Sequence, residues 1–194
     1  MSKNKTILTD ADGVLLDWAN DFDKWMTQKG NVKLVEDVYE MEIAYGMSRK
    51  DCKALIREFN SCAWMRYLPA FRDARSGVAH LVEAGYTFIC ITSLSLDANA
   101  AKLRMRNLEE VFGKNVFSEL VCLDTGADKD DALERYRDSG LYWIEDKVQN
   151  ANLGATLGLN SILIEHSHNK DSETLDGVVR VGKWAQIVDI IVSD

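Results

Sequence analysis

Thr6-Ile7-Leu8-Thr9-Asp10-Ala11-Asp12-Gly13-Val14 is the stretch on which the rest of the chain turns. Thr6–Thr9 reads as a short buried strand, and two carboxylates follow just beyond its C-terminal end. Open α/β sheets gather their ligands at that edge. Gly13 allows a sharp backbone turn directly after the acids. A nucleophile beside an acid/base group becomes feasible there. A polar turn or a calcium loop could use the same four residues about as well. An EF-hand loop is disfavoured because Val14, Leu15 and Leu16 stand where further oxygen ligands belong.

Outward from this strand, short apolar runs alternate with helical patterns. Tyr86–Ile91, Leu120–Leu123, Leu141–Ile144 and Ser161–Ile164 read as further buried strands. Helices are expected at Asp73–Ala84, Asp97–Phe112, Asp128–Ser139, Lys147–Leu157 and Lys183–Val192, the first four ending at glycines. The alternation implies a parallel sheet wrapped by helices. From about Leu15 to Leu68 the rhythm breaks, and only helical periodicity remains. Cys52, Leu55, Ile56 and Phe59 fall at i, i+3, i+4 and i+7, behind a helix start at Ser48 and Asp51. The interval reads as a helical cap inserted after the first strand, with Pro69 at the return.

Three further clusters carry chemistry. Thr92-Ser93 follows the second strand and could hold phosphate oxygens through a hydroxyl and free N–H groups, although a plain turn uses the same residues. Lys129 falls at a helix start, where a cation opposes the helix dipole unless an anion binds nearby. A solvated lysine paired with Asp130 or Asp131 is the plainer reading. Glu145-Asp146, with Asn150 beyond, puts a second acidic pair at a strand end, suited to Mg²⁺ or to simple capping.

The chain has 194 residues, 31 acidic against 23 basic, and a net charge of -8. That length suits one domain with a small inserted module, and the charge disfavours a nucleic acid polymer as partner. Cys52, Cys62, Cys90 and Cys122 form no C-x-x-C pair and read as reduced thiols. The polar start and the lack of any membrane-length apolar run point to a cytoplasmic protein that does not meet a membrane. Self-association into a homodimer stays open. His166 and His168 lie in a polar loop without metal-ligand spacing.

Taken in order, Asp10-x-Asp12-Gly13-Val14, Thr92-Ser93, Lys129 and Glu145-Asp146-x-x-x-Asn150 resemble the four motifs of the haloacid dehalogenase (HAD) superfamily. Asp12-Gly13-Val14-Leu15-x-Asp17-Trp18, Phe88-Ile89-Cys90 before Thr92-Ser93, His168-Asn169 and Arg180-Val181-x-x-Trp184-x-x-Ile187 in the final helix are most similar to the 5'(3')-deoxyribonucleotidases. Leu94 stands where that family has proline. The resemblance implies an α/β, Rossmann-like core of residues 1–14 and 69–194 with a parallel five-stranded sheet of order 5-4-1-2-3. Residues 15–68 would form the cap.

The implied activity is a Mg²⁺-dependent phosphomonoesterase acting on (deoxy)nucleoside monophosphates. Asp10 would attack phosphorus to form an aspartyl-phosphate, and Asp12 would protonate the leaving alkoxide and later activate water. Mg²⁺ would be held by the carboxylates of Asp10 and Asp146 and the backbone carbonyl of Asp12, with Glu145 in support. Thr92, Ser93 and Lys129 would surround the phosphoryl oxygens, and Trp18 would contact the base. Two alternatives stand beside this: a capped HAD phosphatase or phosphomutase acting on a sugar phosphate or other small metabolite, and a non-catalytic HAD-like binding protein.

Overall fold

Strand β1 (Thr6–Thr9) is central because a strand flanked on both sides must be apolar throughout: Ile7, Leu8 and Thr9 are all fully buried. The structure, a computed structural model, describes residues 4–194; the first three residues, part of the polar start, lie outside the described residues. β1 pairs in parallel with β2 (Thr87–Thr92) on one side and β4 (Tyr142–Glu145) on the other, with Thr9 opposite both Cys90 and Ile144. β3 (Phe117–Cys122) lies outside β2, and β5 (Asn160–Ile164) outside β4. This register brings Asp10, Thr92 and Glu145 to one edge.

The sheet has six strands rather than five. Val178-Val179-Arg180-Val181 forms β6 (Val178–Val181), parallel to β5, so the order is β3-β2-β1-β4-β5-β6. Arg180 and Val181 therefore do not belong to the final helix. β-branched residues suit a pleated edge, while Arg180 turns its guanidinium to the carbonyls of Asn169 and Ser172.

Helices α4 (Ala74–Glu83), α5 (Ala98–Phe112) and α8 (Trp184–Ser193) cover one face of the sheet, and α6 (Asp130–Glu134) and α7 (Val148–Thr156) the other. α6 is much shorter than its periodicity suggests: Tyr136 and Arg137 bond three residues back, and Asp138 takes a left-handed φ of 55°. α4 and α8 touch closely, since a Cβ on Gly77 would meet Trp184 Cβ at 2.7 Å. Asp73 stands at the N-cap of α4 as expected, but its side chain serves α8, accepting the Trp184 and Ala185 N–H groups at 2.9 and 3.0 Å.

Between β1 and α4 come α1 (Trp18–Gln28), α2 (Met41–Ala44), α3 (Arg49–Ser61) and a 3₁₀ turn (Ala63–Arg66). Ser48 caps α3 as its sequence foretells, accepting the Asp51 N–H at 3.1 Å. Phe22, Trp25, Met26 and Phe59 pack together at the centre of this helical segment. Its outgoing and returning limbs are sewn side by side, Asp17 N–H to Pro69 O at 3.0 Å and Phe71 N–H to Leu15 O at 2.8 Å.

Candidate active site

The chain leaves β1 with Asp10 almost buried, its backbone N–H donating to Ile144 O at 2.9 Å. Asp10 Oδ1 accepts the Ala11 N–H at 2.7 Å, and Oδ2 lies 2.7 Å from Lys129 Nζ. Lys129 is 2% exposed, so the solvated lysine is excluded. It stands at the N-cap of α6 and spans Asp10 and Glu145, the latter at 2.8 Å. The cation opposes the dipole of a short helix, but two carboxylates outweigh that cost.

Glu145 is fully buried and has no oxygen to spare. Oε1 accepts the N–H groups of Asp146 and Lys147 at 2.9 and 3.0 Å, and Oε2 accepts Lys129 and Asn150 Nδ2, the latter at 3.0 Å. Burial alone would raise its pKa. Lys129 and the N–H donors prevail and hold it at about 2. Asp10 goes the other way, raised to about 7 by burial and by the charges of Glu145 and Asp12, with Lys129 opposing. Asp146 is also pushed well up, by burial first and then by Glu145 and Asp10.

Ligand oxygens of Asp10, Glu145 and Asp146 lie within 4.8 Å of one another. With Glu145 saturated by donors, Asp10 and Asp146 are the pair open to a cation. Among the described residues, Asp10, Asp12, Glu145 and Asp146 are countered by Lys129 and Arg104 alone, leaving an excess of negative charge that a divalent ion would neutralise. Few carboxylates and hard oxygen donors suit Mg²⁺. The buried acidic cluster is consistent with that ion.

Asp12 makes a bidentate ion pair with Arg104 of α5, at 2.5 and 3.0 Å. Arg104 belongs to none of the sequence motifs. Its signal was an arginine sharing a helix face with Ala100, Asn107 and Leu108, all buried. His166 lies nearer the site than its polar loop suggests. Its Nε2 lies 2.8 Å from Gly13 O and 3.8 Å from Asp146 Oδ2, and its ring stacks between Phe71 and His168. Burial, with the nearby His168 and Arg72, lowers its pKa to about 4, so the ring is neutral. Asn169 fixes this loop by donating to the carbonyls of Asp146 and Ile164 at 2.7 and 2.9 Å.

After β2, Thr92 is buried and Ser93 Oγ donates to Ala127 O at 2.8 Å. The next carbonyl, Leu94 O, accepts Asn60 Nδ2 at 3.0 Å and Thr125 Oγ1 at 2.7 Å. Asn60 in turn accepts the Trp18 indole N–H at 2.9 Å. Trp18 is thus spent on tying α1 through α3 to the loop after β2, and its ring stacks on Phe22 at 4.6 Å. A cleft of about 530 Å³ opens beside Asp146, lined by Asp37, Tyr39, Glu40, Lys147, His168 and Glu173 among others. Tyr39, half exposed overall, has its hydroxyl pKa raised by desolvation and by all four site carboxylates, Asp146 foremost.

No protein-family model matches the sequence. One curated relative, an uncharacterised 32.4 kDa protein of Enterobacteria phage T4, is 26% identical over 147 residues, 69% of this chain; the match spans 50% of that protein's length. A predicted phosphatase from Clostridium acetobutylicum has a TM-score of 0.68 at 16% identity, covering 100% of both chains. The magnesium- and phosphate-bound D,D-heptose 1,7-bisphosphate phosphatase from B. bronchiseptica has a TM-score of 0.62 at 14% identity, covering 97% of this chain and 98% of its own. A HAD-superfamily hydrolase from Ehrlichia chaffeensis has a TM-score of 0.60 at 13% identity, covering 100% and 98%. This chain has the HAD fold. Within that fold, nothing in these likenesses supports the narrower resemblance to the deoxyribonucleotidases.

Proposed function

We propose that the chain is a Mg²⁺-dependent phosphomonoesterase working through an aspartyl-phosphate. The observation that carries this reading is the buried set at one sheet edge, Asp10 and Asp146 short of positive charge while Lys129 and Glu145 are fully engaged. The HAD phosphatases that share the fold support it by analogy. Residues 15–68 would be its cap.

In the first step Asp10 attacks phosphorus, the bond to the leaving oxygen breaks, and Asp12, part-exposed and carrying a proton taken up from solvent beforehand, gives that proton to the leaving oxygen. Water then attacks the acyl phosphate after losing a proton to Asp12, releasing phosphate and Asp10. The carboxylates of Asp10 and Asp146 and the carbonyl of Asp12 would hold Mg²⁺, which supplies charge neutralisation for the phosphoryl group. Lys129 would neutralise a phosphoryl oxygen beside Asp10, and Thr92 and Ser93 would bond the others. Glu145 keeps Lys129 aimed.

Two substrate classes compete, a (deoxy)nucleoside monophosphate and a sugar phosphate or similar small metabolite. The second has more support. Trp18, the expected base contact, has its N–H bonded to Asn60 and its face on Phe22. The cleft beside Asp146 sets Asp37, Glu40 and Glu173 against Lys147, which favours a neutral, hydroxyl-bearing leaving group, sugar or nucleoside alike, over one that carries a second phosphate. Four free cysteines fit a reducing, cytoplasmic setting, and no helix among the described residues is long and apolar enough to cross a membrane. Phosphate release with Mg²⁺ across sugar monophosphates, sugar bisphosphates and nucleoside monophosphates tests the reading. Sugar monophosphates should lead, and selective hydrolysis of nucleotides would restore the first class.

A further inference from the structure

Arg104 has no exposed surface, yet its guanidinium partners a carboxylate at the site. Nη1 donates to Asp12 Oδ1 at 2.5 Å and Nη2 to Oδ2 at 3.0 Å. Burying a guanidinium is costly, and a planar fork that grips both oxygens is what arginine offers over lysine. Both Asp12 oxygens are engaged, so the plane of the carboxylate is set by α5 rather than left to rotate.

The same Nη2 lies 3.1 Å from Met65 Sδ, in the 3₁₀ turn that ends the inserted helical segment. One turn further along α5, Asn107 Nδ2 donates to Leu68 O at 2.9 Å, and Glu110 takes Arg66 at 2.5 Å. Positions 104, 107 and 110 follow one another along one side of the helix. This side of α5 therefore grips the returning limb at residues 65–68 and, through its first member, Asp12.

We infer that Arg104 is a positioning residue for Asp12, and that seating of the 65–68 limb sets how the fork presents that carboxylate. The inference rests on the phosphomonoesterase reading, in which Asp12 must reach the leaving oxygen. An acid must lie within hydrogen-bond reach of the atom it protonates. A shift of the guanidinium by the limb's movement is transmitted to Asp12 directly, without passing through Asp10 or Lys129.

Leaving-group dependence separates this role from a merely structural one. A p-nitrophenolate departs without a proton, whereas the alkoxide of β-glycerol phosphate needs one. With Mg²⁺ present, Arg104→Lys should lower kcat/KM on the alkyl ester about tenfold or more and on p-nitrophenyl phosphate less than about threefold. In an Asp12→Asn background the same change should add less than about twofold on either ester. Met65→Ala, which unpairs no charge, should give the same ester-selective loss at about threefold, and it decides the matter should Arg104→Lys not fold. Equal losses on both esters, multiplicative losses in the Asp12→Asn background, or no selectivity in Met65→Ala would overturn the inference. Wild-type protein inactive on both esters would instead overturn the phosphomonoesterase reading beneath it.

Discussion

A methyl group on Gly13 would sit 2.3 Å from Asp146 Oδ2. The glycine after the aspartate pair therefore does more than turn the chain at its φ of 74°. It leaves the volume in which the carboxylate from β4 stands beside that from β1. Gly13→Ala should cost about 1–3 kcal/mol in backbone strain and displace Asp146 as well. The readout is the rise in Tm on adding Mg²⁺, which should be lost in this variant; an undiminished rise would count against Asp146 as a metal ligand.

Asp10→Asn should abolish turnover, by about 10³-fold or more, because the amide cannot form the acyl phosphate. Acid-quenched wild-type protein should carry phosphate on residue 10, detectable by mass spectrometry. Near-normal Mg²⁺-dependent rates in the variant would remove Asp10 from its role.

Lys129 is the only cation within reach of both Asp10 and Glu145 among the described residues. Lys129→Met keeps much of the side-chain volume over Trp143 but leaves Glu145 without its counter-charge. Breaking a buried pair from one side costs about 3–5 kcal/mol. Urea denaturation would measure the loss, and a change under about 1 kcal/mol would show the pair to be dispensable.

Stability without metal should fall as pH rises from about 4.5 towards 7. Asp10 is raised from 3.8 to about 7, chiefly by burial, so the folded state holds this proton more tightly than the unfolded chain does. Its contribution is full below 3.8 and is lost as pH climbs through 7. Asp146 acts in the same direction. Glu145, lowered from 4.5 to about 2, gains its stabilising contribution as pH rises between those values and holds it in full, unchanged, above them. Thermal melts in EDTA should decline across this window, and Mg²⁺ should flatten the decline. A melt in EDTA that stays level would contradict the shared burial of these carboxylates.

Trp18→Phe should act through Asn60 and the loop after β2 rather than through a bound base. It keeps the stack on Phe22 but removes the donor to Asn60 Oδ1, worth about 1 kcal/mol. kcat should fall by a similar factor for nucleotide and sugar esters. A KM rise confined to nucleotides would make Trp18 a base contact.

The amino-acid sequence by itself determined the parallel core and the edge at which the acidic residues gather. Strands such as Thr6-Ile7-Leu8-Thr9 and Tyr142-Trp143-Ile144 are local apolar runs, and acids placed directly after them must emerge at one side of a parallel sheet. Ser48 before Asp51 likewise marked a helix start that local hydrogen bonding alone can make. Tertiary structure decided what each polar group faces. β6 exists because Val178–Val181 finds β5 to pair with, and no local pattern announces a partner 17 residues away at Ser161↔Val178. Arg104 meets Asp12 across 92 residues, and His166 meets Gly13 across 153, by packing of distant elements. Lys129 looked like a surface lysine until burial beside Asp10 and Glu145 gave it two partners. Periodicity follows from the geometry of one segment, whereas the environment of a buried charge is fixed only when several segments close around it.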